Sequence, residues 1–74
     1  MQSEIKKIFS KIISINVDKI KPNTSIGNTK KWDSLAHMNL IMAFESEFKI
    51  KFTENEINEM LNYKIIEEII LNKK

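Results

Sequence analysis

"KKWDSLAHMNLIMAFESEF", residues 30–48, is the stretch on which the fold turns. Asp33 stands just before an apolar-rich run, where its side-chain oxygen can accept from the unpaired N–H groups of a helix start. Ser34 and Leu35 are then the first helical residues, and the helix is expected to run to about Phe48. At about 100° per residue, Leu40, Ile41, Phe44 and Phe48 gather on one side, as a core-facing stripe should. Leu35, Met38 and Met42 gather on nearly the opposite side, with Ser34 beside them at the N-terminal end. One small bundle can hardly bury both stripes. Either the second is covered by the long loop or a later helix, or part of it stays open as a docking face, where methionine supplies adaptable, polarizable contacts. Met42 is the leading candidate for an exposed anchor.

Upstream, Ile5, Ile8, Phe9, Ile12 and Ile13 follow the i, i+3, i+4, i+7, i+8 spacing of an amphipathic helix, with Ser3 available as its cap. That predicts a first helix over about residues 4–15. The single glycine and single proline both fall within residues 20–30 and mark the main loop. This loop is long for a compact domain. Its Val17, Ile20, Ile26 and Trp32 are expected to pack it down. Downstream, "KIKF" alternates like a strand but has no second strand to pair with, so it reads as a connection. Thr53 and Glu56 are spaced as a capping box at the start of a short helix, "ENEINEML". Asn62 can cap a last helix in which Ile65, Ile66, Ile69 and Ile70 form the buried stripe. The expected fold is all-α: a small four-helix bundle, with three longer helices, a short third one, and a long loop between helices one and two. Residues 1–74 read as a single domain.

A chain of 74 residues leaves little room for a catalytic cleft. It has no cysteine, so it offers no disulfide, no thiolate nucleophile and no cysteine zinc site, and the expected compartment is the cytoplasm. "MQSEIKKIFSKII" interrupts its apolar residues with lysines, unlike a signal peptide or a membrane span, and no membrane association is expected. The formal net charge is +2, but acids and lysines are interspersed. Lys19, Lys21, Lys30 and Lys31 gather on the loop with Trp32 as their only aromatic neighbour, a poor platform for nucleic acid, and no such partner is expected. The only histidine, His37, lies one turn from Ser34. A Ser-His pair could touch there, but nothing supplies an oxyanion hole, and His37 reads as a partly exposed residue of the helix surface.

A serine at a helix start suits another task, because the free N–H groups and the positive end of the helix dipole favour a phosphate there. The run "WDSLAHMNLIMAFESEF", followed at the same spacing by the short acidic helix "TENEINEM", resembles acyl carrier proteins in the start and body of their second helix. The resemblance covers the whole chain in length and helix order and is most specific between residues 32 and 60. It implies a non-enzymatic carrier with 4'-phosphopantetheine, drawn from coenzyme A, on Ser34, and with Asp33 as the flanking acidic cap. It implies acyl or aminoacyl cargo held as a thioester on the arm's thiol, which accounts for a carrier without cysteine. The implied partners are a phosphopantetheinyl transferase, an acyl- or aminoacyl-loading enzyme, and an acceptor transferase or synthase. Leu35, Met38 and Met42 match positions that dock partners, and Ile57 and Met60 match positions that could shelter an acyl chain. Ala36 and Asn39 stand where carboxylates are usual, the first acids of the helix are Glu45 and Glu47, and Lys31 and Trp32 replace the usual glycine. These departures point to a specialised carrier over a housekeeping one, and the chain is expected to be a monomer. The competing reading is an unmodified helical interaction module that uses the Leu35, Met38 and Met42 face.

Overall fold

The computed structural model describes residues 2–73. Helix α1 spans Gln2–Ile13, a 3-10 turn spans Val17–Lys19, and α2, α3 and α4 span Ser34–Phe48, Glu54–Glu59 and Tyr63–Lys73. The described residues hold no strand, only an isolated bridge between Ser25 and Asn62. This is the expected all-α bundle of three longer helices and one short one.

The caps explain most boundaries. Asp33 Oδ1 accepts from the Ala36 amide at 2.9 Å and starts α2. Thr53 and Glu56 close the capping box of α3, Thr53 Oγ1 accepting from the Glu56 amide at 3.1 Å and Glu56 Oε1 from the Thr53 amide at 2.8 Å. Asn62 Oδ1 accepts from the Ile65 amide at 2.9 Å ahead of α4. Lys49 ends α2 in the left-handed conformation, its N–H bonded to the Glu45 carbonyl.

The first helix differs from its expected limits. It already includes Gln2, so Ser3 lies inside it and does not cap it. It ends at Ile13 because Ser14 takes a left-handed φ of 60°, and the Ile15 amide then bonds back to the Ser10 carbonyl at 3.2 Å. Helix α3 is also shorter than expected, leaving Met60 and Leu61 beyond its end.

The core takes Ile5, Phe9 and Ile13 from α1, the whole stripe Leu40, Ile41, Phe44 and Phe48 from α2, and Tyr63, Ile66 and Ile70 from α4. Ile65 and Ile69, expected in the buried stripe of α4, are only half-buried, because the face centres on Tyr63, Ile66 and Ile70 instead. Phe9 is the aromatic hub, with Trp32 and Tyr63 edge-on to it at 5.1 and 5.2 Å between ring centroids. Ile20 and Trp32 pin the long loop to this core and Ile26 packs against it, while Val17 stays exposed. Backbone bonds hold the rest of the loop to the α3–α4 junction. The Ile26 amide donates to Leu61 at 3.0 Å, the Tyr63 amide to Thr24 at 2.8 Å and the Lys64 amide to Pro22 at 3.2 Å. With those groups paired, a loop of this length can sit against the bundle without orphaned backbone.

Candidate functional site

Ser34 is the first residue of α2, and its position follows from the cap: Asp33 turns the chain from extended backbone into the helix and satisfies the Ala36 amide. Ser34 is exposed, and its hydroxyl has no hydrogen-bond partner among the described residues. Beside it, Leu35 is 73% exposed, Met38 48% and Met42 58%. Neither the loop nor α3 covers this stripe. Met42 is exposed as expected, and Leu35, in the first turn, is more exposed still. The sequence reading of two apolar faces on α2 therefore holds in three dimensions, one buried and one open.

His37 keeps the partial exposure expected of it, but its ring is not free on the helix surface. It is half-buried, and both ring nitrogens are engaged. Nδ1 lies 3.1 Å from the Trp32 indole nitrogen, and Nε2 lies 3.0 Å from the Ile57 carbonyl. The imidazole is thus turned away from Ser34, and there is no Ser-His dyad. Sequence spacing alone left this open, because Ile57 is 20 residues away.

The two residues linked with an acyl pocket behave differently. Ile57 is half-buried on α3, whereas Met60 is fully buried just past that helix. The two clefts described in the molecule lie elsewhere. The larger, about 550 Å³, is lined by Gln2, Lys6, Ile20, Lys21, Tyr63 and Lys64 among others, and the smaller by Glu4, Lys7, Ile8 and Glu47. Tyr63 lines the larger cleft, but its hydroxyl is shut away from solvent and finds no hydrogen-bond partner. Burial, with the nearby Glu67 carboxylate adding to it, pushes its pKa well above the ordinary tyrosine value.

Electrostatics around Ser34 are mild. The first turn of α2 carries no acid. Glu45, at the far end, accepts from the Phe52 amide at 3.0 Å and anchors the connection to α3. On α3, Glu56 is held below its ordinary pKa, first by the Thr53 amide and then by Lys73, whose ammonium lies 2.9 Å away. Among the described residues there is no group of three or more His, Cys, Asp or Glu side chains arranged for a metal, and no helix long and apolar enough to cross a membrane.

No protein-family model matches the chain. It is 40% identical over 60 residues to an acyl carrier protein of Buchnera aphidicola from Schizaphis graminum, covering 81% of this chain and 76% of the relative. An acyl carrier protein of Buchnera aphidicola from Baizongia pistaciae is 33% identical over 70 residues, with 95% and 90% covered. Among solved structures, a solution structure of a holo acyl carrier protein from Geobacter metallireducens superposes with a TM-score of 0.84 at 30% identity, over 96% of this chain and 82% of that one.

Proposed function

This chain belongs to the acyl carrier protein family, whose members are non-enzymatic carriers, and we propose that Ser34 is where it takes a 4'-phosphopantetheine arm. The observation that carries the proposal is the free, exposed Ser34 hydroxyl at the first position of a capped helix. The site fits the group. Neither the Ser34 nor the Leu35 amide has a backbone partner among the described residues, and the helix dipole is positive at this end, so an anionic phosphodiester is favoured. Exposure leaves the oxygen open to the active site of a phosphopantetheinyl transferase.

When bound, the arm supplies the thiol that the cysteine-free chain lacks, so acyl or aminoacyl cargo is held as a thioester. The chain's own part is to present that cargo. Tethering keeps the local concentration of cargo high at any enzyme docked beside Ser34. The exposed Leu35, Met38 and Met42 form the face against which a loading enzyme and an acceptor transferase or synthase dock, and burying an apolar side chain there contributes about 1.5 to 3 kcal/mol. With no acid in the first turn of α2, charge steers this docking weakly. That supports a dedicated biosynthetic pathway over the housekeeping fatty-acid route.

Intact-mass measurement after incubation with coenzyme A and a broad-specificity transferase tests the reading. The protein should gain the mass of one arm, and Ser34→Ala should abolish the gain while shifting stability by less than about 0.5 kcal/mol, as at other exposed positions. No gain with several active transferases, or a gain that survives Ser34→Ala, defeats it.

A further inference from the structure

We infer that His37 keeps the seam between α2 and α3 closed to the cargo and so sets which cargo this chain accommodates. The inference takes its functional meaning from the carrier reading above, but its structural basis is separate. The Trp32 indole nitrogen can only donate and the Ile57 carbonyl can only accept. The contacts of 3.1 and 3.0 Å therefore assign the ring: Nδ1 bears the lone pair, Nε2 bears the proton, and the imidazole is neutral in this arrangement. A single side chain thus joins the loop, α2 and α3.

The join matters because α3 is weakly held. It has six residues, none of them fully buried. Besides His37 and Ile57, which is half-buried against the core, its side-chain tie to the other helices is the Glu56–Lys73 ion pair, whose side chains are 23% and 27% exposed and whose contribution is correspondingly modest. The other end of the His37 bridge is firm, since Trp32 is 2% exposed and packs edge-on to Phe9. Pinned there, the ring cannot follow α3 outward, and any separation of α3 from α2 breaks the bond to Ile57.

Behind the seam the space is filled. Met60 and Leu40 are fully buried, and neither described cleft opens between α2 and α3. An apolar chain entering here must displace packed side chains and also break the imidazole bond. Short or polar cargo, which stays outside, meets neither cost. His37 thus acts as a positioning residue that disfavours long apolar cargo.

The test compares wild-type protein, His37→Ala and His37→Gln, each loaded at Ser34 from acetyl- or octanoyl-coenzyme A. In wild type, the octanoyl and acetyl forms should give nearly the same NMR shifts at Leu40, Ile57 and Met60. In His37→Ala the octanoyl chain should shift all three, and its thioester should resist hydroxylamine several-fold longer; His37→Gln, which retains a donor for Ile57, should fall between. Equal shifts in wild type and His37→Ala overturn the inference. On the unloaded proteins, imidazole nitrogen shifts should report the Nε2–H tautomer in wild type, and amide exchange at Ile57 and Met60 should rise about tenfold in His37→Ala, matching the loss of the one hydrogen bond that ties the imidazole to α3. The opposite tautomer or unchanged exchange also overturns it. Failure of every variant to accept an arm defeats the carrier reading instead, and the unloaded measurements still decide whether His37 holds α3.

Discussion

Replacing Tyr63 with phenylalanine should stabilise this protein. The ring is buried and edge-on to Phe9 at 5.2 Å, so its packing survives the change. Only the hydroxyl is lost, and that hydroxyl has no hydrogen-bond partner. An unsatisfied buried polar group costs about 1 to 3 kcal/mol, and the nearby Glu67 carboxylate offsets some of that, so a gain of about 1 kcal/mol is expected. In a domain this small, such a gain raises Tm by about 4 to 8 °C. Alkaline pH supplies a second, independent signature. The unfolded chain's tyrosine ionises at its ordinary pKa of 10.0, while the folded protein holds the proton to higher pH. Above that value the folded state binds more protons than the unfolded state, so stability falls as pH rises. Wild type should therefore lose up to about 1.4 kcal/mol per pH unit there that Tyr63→Phe does not lose. Since Tyr63 is the only tyrosine, tyrosinate absorbance follows it alone. Urea denaturation of both proteins, at neutral pH and then through the alkaline range, is the assay. A variant no more stable than wild type, with parallel alkaline curves, would refute the reasoning and show that Glu67 or another group satisfies the hydroxyl.

Removing the α2 cap with Asp33→Ala should cost about 0.5 to 2 kcal/mol in urea denaturation, and Asp33→Asn should recover most of it, because the acceptor for the Ala36 amide returns. Glu56 has a folded pKa below its unfolded one, so its stabilisation is present above the ordinary glutamate value and is lost as pH falls through the folded value. NMR titration of its carboxyl should show that low value, and Lys73→Met should move it upward but leave it short of the unfolded value, since the Thr53 amide still donates to it.

The caps were legible in the sequence because each is local: Asp33 reaches three residues ahead, as do Thr53 and Asn62. The buried stripe of α2 was legible for a related reason, since period alone separates Leu40, Ile41, Phe44 and Phe48 from Leu35, Met38 and Met42. What local reading missed depends on distant partners. Ser3 looks like a cap, yet Gln2 is already helical. His37 looks like a surface residue until Ile57 is brought against it. On α4, an isoleucine pattern cannot reveal that Tyr63 takes a core place beside Phe9, which centres the buried face on Ile66 and Ile70. For the candidate site, the sequence located Ser34 and the open stripe. The tautomer and the closed seam needed coordinates.

The division of α2 has a consequence for what a partner must offer. Stability draws on one face of the helix, and the proposed docking draws on the other, so Leu35, Met38 and Met42 are free to suit a partner without weakening the core. The N-terminal turn lacks acids, and Glu45 already serves the Phe52 amide, so little charge on this helix remains for recognition. A matching enzyme surface therefore needs an apolar hollow for Leu35 and two adaptable contacts for the methionines, and has little use for a ring of lysines and arginines. His37 lies on the core side of this helix. Its bonds run inward to Trp32 and across to Ile57, so it leaves the docking face to Leu35, Met38 and Met42.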